Sequence, residues 1–454
     1  MTMAKRFDEL HAYAAPASSG WPWLNAFREQ AQQAFAAQEL PTLQQETWKY
    51  TNIRTLSETA FSDAPPPAGD EQAEAKNARQ TQALSLPGHR LTFIAGHFQP
   101  QLSQLGDLSG GARLMSLKQA LEQEQTLIEA HLGGAVEYSG QPFAALNSAR
   151  FEDGVLLYLP PGCQLSQPIH CLFYTPSGHH SHACYPRLLI VLEAGAEAQL
   201  VEEYLGSTAP QANTAAQFTC PLSEIMLARD TRLLHCKVLR ESPQGHHIAG
   251  VHVTQAAQSH FHSISVTLGG GISRNDVQIS LSDDGAQARL DGLYLLAGRQ
   301  HLDNHLRIDH LQPGGRSDVL YKGIINDRAH GVFNGMAIVH PGAQQSDARQ
   351  INKNLLLSEN AEIDTKPELQ IDADDVKCSH GATVGQLDKD ALFYLSSRGL
   401  DRQTARALLT TAFAHETLTH LPQGPLREQL TALTGATLTR QAGDQRTSDT
   451  APLW

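Results

Sequence analysis

A chain of 454 residues is too long for one ordinary core and calls for two or three structural units. Its net charge of −13 excludes nonspecific attraction to nucleic acid or to an anionic membrane surface. No apolar run approaches the roughly 18 residues of a membrane helix, and the opening "MTMAKRFDELHAYAA" has no apolar stretch behind its basic pair, so no signal peptide is expected. A cytoplasmic location follows, with Cys163, Cys171, Cys184, Cys220, Cys236 and Cys378 as free thiols.

The first part of the chain reads as helical. "WLNAFREQAQQAFAAQEL" places Leu24, Phe27, Ala31 and Phe35 at helical spacing, and Pro41 closes the segment. "PTLQQETWKYTNI" follows with Trp48 and Tyr50 as large anchors. Residues 62–83 are rich in Ala, Pro, Asp and Glu and lack large apolar side chains, which predicts an exposed linker. "LTFIAGHF" predicts a short strand. Ser116 is a good N-cap for "LKQALEQEQTLIEAHLG", where Leu117, Leu121, Ile128 and Leu132 share one face and Gly133 ends the helix.

The pattern changes near Pro142. Up to about Ile371 the chain carries short β-like segments such as "GVLLYLP", "RLLIVLE", "DVQISL" and "DVLYKGII". Turn signals interrupt them: "DDGA", "LAGR", "QPGG", "NDRAHG", "HPGA" and "SENA". Short strands with turns at steady intervals predict a β-solenoid, with about two strand–turn units to a coil. A sandwich or barrel is the rival. Helices return after Gly385. "DKDALFYLSSRGL" ends at Gly399, and Asp401 caps "DRQTARALLTTAFAHETLTHL", which puts Ala405, Leu408, Leu409 and Ala412 on one face. "PLREQLTALTGATL" predicts one more short helix. The expected division is a helical region over 1–141, a β core over 142–385, a helical region over 386–437 and a disordered tail over 438–454.

Several sequence signatures of self-contained chemistry are missing. There is no G-x-x-x-x-G-K-[ST] loop, no G-x-S-x-G, no H-E-x-x-H and no C-x-x-C. Three histidine and cysteine groups are left. In "DDVKCSHGATVG", Cys378 and His380 stand two apart, so on a strand they share a face and address one ion. Asp372, Asp374 and Asp375 would raise the thiol pKa and Lys377 would oppose them. In "CLFYTPSGHHSHACYP", Cys171, His179, His180, His182 and Cys184 cluster, with His180, His182 and Cys184 in alternation. "SHFHS" holds His260 and His262. For each, a structural thiol or imidazole is the plain alternative. A stand-alone β-solenoid or cupin-like metalloenzyme using the second or third group is the rival functional reading. "SSRGLDRQTARALLTTAF" is the candidate for docking a partner protein.

These residues carry a resemblance. "ETWKYTNI", "PFAALNSARFEDGVLLYLPPG", "VLEAGAEAQLVEEYLG", "DTRLLHCKVLRES" and the run from "VFNGMAIVHPG" to "YLSSRGL" occur in the order seen in the SufB/SufD family of iron–sulfur cluster assembly proteins. The chain resembles the SufD branch, because the Glu-Gly-Cys-[ST]-Ala-Pro motif of SufB is absent. The resemblance implies a right-handed parallel β-helix flanked by N- and C-terminal helical regions. It implies a non-catalytic scaffold that pairs with SufB, docks the ATPase SufC on its C-terminal helices and shares a transient iron–sulfur cluster or iron with SufB. It places Cys378 and His380 at that shared site. It also associates a reduced flavin with the complex, with no residues here to receive it. Whether the isolated chain pairs with itself stays open.

Overall fold

The computed structural model describes residues 19–176, 178, 180–207 and 215–448. From Gly154 to Gly385 the backbone alternates between two parallel sheets. In the first sheet Ile272 pairs with His301 and His301 with His330; in the second, Gln287 pairs with Arg316, which pairs with Asp347. One strand from each sheet makes a coil, as the two-unit spacing predicts, and the architecture is a parallel β-solenoid rather than a sandwich or barrel.

Alternation fixes what fills it. Inward positions of both sheets meet as one apolar interior, including Leu188, Ile190, Leu290, Ile308 and Phe333. Identical columns stack at strand spacing. Phe93, Phe173 and Tyr204 sit on successive strands with ring centroids 4.9 Å apart at each step, close to the roughly 4.8 Å between neighbouring strands. The predicted turns are the corners, and they stack too. Gly285 and Gly314 adopt left-handed backbone (φ 68° and 70°), and the Gly285 and Gly314 N–H groups donate to the Pro313 and Gln344 carbonyls of the next coil.

The outer faces are covered unequally. Helices Pro22–Ala36, Leu117–Gln123, Gln125–His131 and Pro142–Arg150 lie over the beginning of the first sheet, where Leu24, Phe35, Phe143 and Leu189 share a core. The C-terminal hairpin of helices Arg402–Leu418 and Pro425–Ser448 lies over the second sheet, with Ala414, Leu418 and Leu430 against Val238, Ile264 and Leu293.

Several expectations fail locally. The stretch 62–83 is not an exposed linker. Ser62–Asp63 pairs with His182–Ala183, and Gly69–Thr81 is a helix that buries Ala75 and Ala78. Alanine gives a narrow contact stripe that a search for large apolar residues overlooks. Pro142–Arg150, which the expected boundary at 142 assigns to the β core, is a helix. All nine of its residues are buried, so its apolar periodicity is blurred. The helix expected across 117–132 breaks at Glu124. The expected tail is wrong over its first part: Leu438 is buried and the helix continues to Ser448. Residues 449–454 lie outside the described residues.

The hairpin is fastened by charge as well as by apolar contact. Lys322 on the second sheet is almost wholly buried, donates to Glu416 at 2.6 Å and lies 3.9 Å from the Phe413 ring centroid. His420 pairs with buried Asp291 at 2.7 Å. Glu416→Gln leaves the Lys322 ammonium without its counter-charge. Because Glu416 is half-exposed, the expected loss is near the lower end of the roughly 1.5–3 kcal/mol of a charged hydrogen bond. It should be read as a lower urea midpoint together with faster proteolysis of the hairpin. Unchanged proteolysis would show that apolar packing alone holds it.

Candidate functional site

The solenoid is unfinished at one end. Strand Glu362–Ile371 is the last of the first sheet and Lys377–Gly385 the last of the second, so each leaves one edge unpaired. The side chains there occupy core columns with no coil above them. Cys378 pairs with Ala348 and His380 with Gln350, both buried inward residues. Cys378 and His380 therefore stand side by side on the inward face of the terminal strand, as the alternation predicts. Cys378 is half-buried and His380 exposed. Ile371 and Val384 complete the same open layer at 44% and 49% exposure, unusual for aliphatic side chains in core columns.

Burial pushes the Cys378 thiol above its ordinary pKa, and the Asp347 carboxylate on the neighbouring strand adds to this; the bond it accepts from the backbone of Ala348 works the other way. The acidic influence is thus Asp347, not the sequence neighbours Asp372, Asp374 and Asp375. Cross-strand register places Asp347 beside Lys377, whereas those three residues belong to the preceding strand end and turn.

The second group does not assemble. Among the described residues the His182 ring bonds the carbonyl of His180, at 3.4 Å, and Cys184 sits 3.8 Å from the Thr219 hydroxyl, with its pKa pushed up to about 12 by burial and by Glu241. Cys171 is fully buried in the interior and His179 lies outside the described residues. In the third group, His262 bonds Asp291 at 2.9 Å. Among the described residues, no group of three or more His, Cys, Asp or Glu is arranged to hold a metal ion. All six cysteines are free thiols.

The segment expected to dock a partner is helical as predicted, but its buried face differs. Helix Arg402–Leu418 buries Ala405, Thr410, Ala414, Thr417 and Leu418, while Leu408 is 51% exposed. The threonines pack inward and the leucine turns out, so polarity alone misplaces the stripe. The preceding helix Lys389–Ser397 buries nothing and leaves Phe393 and Tyr394 largely exposed. No helix among the described residues is long and apolar enough to cross a membrane.

Sequence reasoning missed the ionisable groups inside the solenoid. Glu202, His235 and Lys237 occupy inward positions of the second sheet. The signal available was charged residues inside the strand-like runs "VEEYLG" and "LLHCKVL", with His235 and Lys237 in alternation, which reads equally well as a solvated face.

Together, the two-sheet parallel solenoid and its helical ends place the chain in the class of parallel β-helical proteins. Residues 173–413 match the model of the SufBD core domain of the SUF system for FeS cluster assembly, and residues 3–171 match that of the SufBD N-terminal region. The chain is 35% identical over 407 residues to an iron–sulfur cluster assembly SufBD family protein of Synechocystis, covering 89% of this chain and 88% of that one. It is 30% identical over 401 residues to the iron–sulfur cluster assembly protein SufD of Escherichia coli, covering 88% and 89%. To SufD of Bacillus subtilis it is 26% identical, covering 69% and 71%. The chain belongs to the SufBD family of iron–sulfur cluster assembly proteins.

Proposed function

We propose that this chain is a non-catalytic scaffold subunit that supplies half of a ligand set for a nascent iron–sulfur cluster. The observation that carries the reading is the placement of Cys378 and His380 on the inward face of an unpaired terminal strand. Two donors cannot complete a tetrahedral site, and the free edge invites a second β-solenoid to continue the sheets and bring the rest. SufB is the partner that this reading assigns to that edge, and SufC is assigned to the exposed apolar side chains Phe393, Tyr394 and Leu408. The cluster is cargo shared across the seam. Cys378 must lose its proton and His380 must be neutral to bind iron, so capture weakens in acid. Motion of the docked helices would open or close the seam.

The test is His380→Ala and Cys378→Ala in the complex purified with its partner subunits and reconstituted anaerobically. The expected outcome is an intact complex with cluster absorbance reduced several-fold for each. Wild-type cluster yield in an intact complex sinks the ligand role. Failure of the complex to form around the wild-type chain, with the chain instead pairing with itself, sinks the partner assignment.

A further inference from the structure

The second sheet has an outer face that the C-terminal hairpin covers only in part. The first residues of its strands floor an open cleft of about 820 Å³, walled by the loop at Leu165–Ser166 and by Pro422 at the hairpin turn. A cavity of about 310 Å³ continues it, and the two share Ser166, Gln199 and Pro422. This lies on a different face from the inward columns that carry Cys378 and His380.

Register sets the chemistry of the floor. Arg232 lies beside His260, His260 beside Gln287 and Gln287 beside Arg316. In the next outward column His262 lies beside Arg289. No carboxylate stands in the first column between Arg232 and Arg316. Glu197 and Asp347 bound that column at the two ends. The second column is broken by half-exposed Asp318, which lies between Arg289 and Arg349 and 3.3 Å from Arg289, and Asp230 precedes Arg232 in the turn.

Two observations set this patch apart from an ordinary solvated face. The guanidinium groups of Arg232 and Arg316 make no hydrogen bond or ion pair among the described residues, in a chain whose net charge is −13. Two residues on from Arg289, a wholly buried carboxylate, Asp291, accepts from His262 Nε2 at 2.9 Å, Arg289 Nε at 2.9 Å and His420 Nδ1 at 2.7 Å. That buried anchor fixes one imidazole and one guanidinium at the floor. It joins strand and hairpin turn, so the walls and the floor are held together.

We propose that this cleft binds a small molecule carrying two phosphate groups. Guanidinium forks and imidazole N–H groups suit phosphate oxygens. Arg232 and Arg316 stand three strands apart, about 14 Å, with flexible stems that close on an anion seated over His260 and Gln287. The volume lies within the roughly 300–1,000 Å³ of small-molecule sites. Glu197 and Asp347 repel a polyanion running out at either end, which selects a short ligand over a nucleic acid strand. The proposal stands apart from the scaffold reading and needs no partner subunit.

The experiment is calorimetric titration of the full chain with inorganic pyrophosphate at low salt, beside a short single-stranded oligonucleotide. Saturable binding of pyrophosphate at one site is expected. Arg232→Gln with Arg316→Gln should weaken it at least tenfold, Arg316→Gln alone by less, and Arg307→Gln on the opposite sheet not at all. Both cleft arginines are exposed and their guanidinium groups make no bonds among the described residues, so unchanged melting curves are expected for these variants. The proposal is overturned by absence of saturable binding, by affinity that survives both the single and the double change, or by oligonucleotide binding tighter than pyrophosphate and lost in the same variants.

Discussion

Arg187→Met is expected to destabilise the fold by roughly 3–5 kcal/mol, the cost of leaving one partner of a buried ion pair alone. Arg187 and Glu224 are both fully buried on the outer face of the first sheet, and the guanidinium donates to the carboxylate. It also donates to Asn147 at 3.1 Å and Ser148 at 2.8 Å, while Glu224 accepts the Gly133 N–H at 2.9 Å. The pair therefore ties helix Pro142–Arg150 and the end of helix Gln125–His131 to the solenoid. Methionine fills the volume but leaves a buried carboxylate with only backbone donors. Urea unfolding should show the loss. Adding Glu224→Gln removes the stranded charge while keeping an acceptor for Gly133, so the double variant should recover at least about 1 kcal/mol. A double variant no better than the single would place the damage in the lost Asn147 and Ser148 bonds instead.

That pair also marks the limit of what the sequence discloses. The solenoid was legible because its signal repeats: strands of similar length, turns such as "QPGG" and "DDGA", and a steady interval. The Cys378–His380 geometry was legible because period-two alternation is local. Arg187 and Glu224 are 37 positions apart, and nothing local says that both face the same helix. Asp291 gathers His262 from a neighbouring strand and His420 from beyond the core, a meeting that only the docked hairpin creates. The helix at 142–150 was hidden for the opposite reason. Buried on every side, it has no polar stripe to give the helical period away. The shared face of Cys378 and His380 follows from their strand register. The acidic neighbour that acts on Cys378 was misassigned, because register across strands, not distance along the chain, selects Asp347.

The second large effect concerns charge inside the solenoid and separates by pH. Lys237 is buried, donates to Asn275 at 2.7 Å and lies 5.3 Å from the Tyr204 ring centroid. Burial lowers its pKa to about 8, against the pull of Glu202, Glu241 and Asp276. The unfolded chain keeps this proton to about pH 10.5, so between these values the unfolded state binds more protons and stability rises with pH. A charged Lys237 thus costs about 3 kcal/mol at neutral pH, and the cost fades as the ammonium deprotonates. Glu202 acts in the other direction. Burial alone would raise its pKa, but the His235 hydrogen bond and charge, the Lys237 charge and the Tyr204 hydroxyl bring it down to about 2. Its folded pKa is depressed, so its stabilisation is complete above about pH 4.5 and is lost as pH falls toward 2. Lys237→Met should therefore gain on the wild type most at pH 7. Its advantage should shrink by about 3 kcal/mol by pH 10.5, as neutral lysine stops costing the native state. Glu202→Gln should lose roughly 3 kcal/mol at neutral pH and converge on wild type near pH 2. Urea midpoints across that range measure both. A Lys237→Met difference that is flat from pH 7 to 10.5 would mean that the ammonium is solvated inside the coil and that the interior holds water between Glu202 and Asn275.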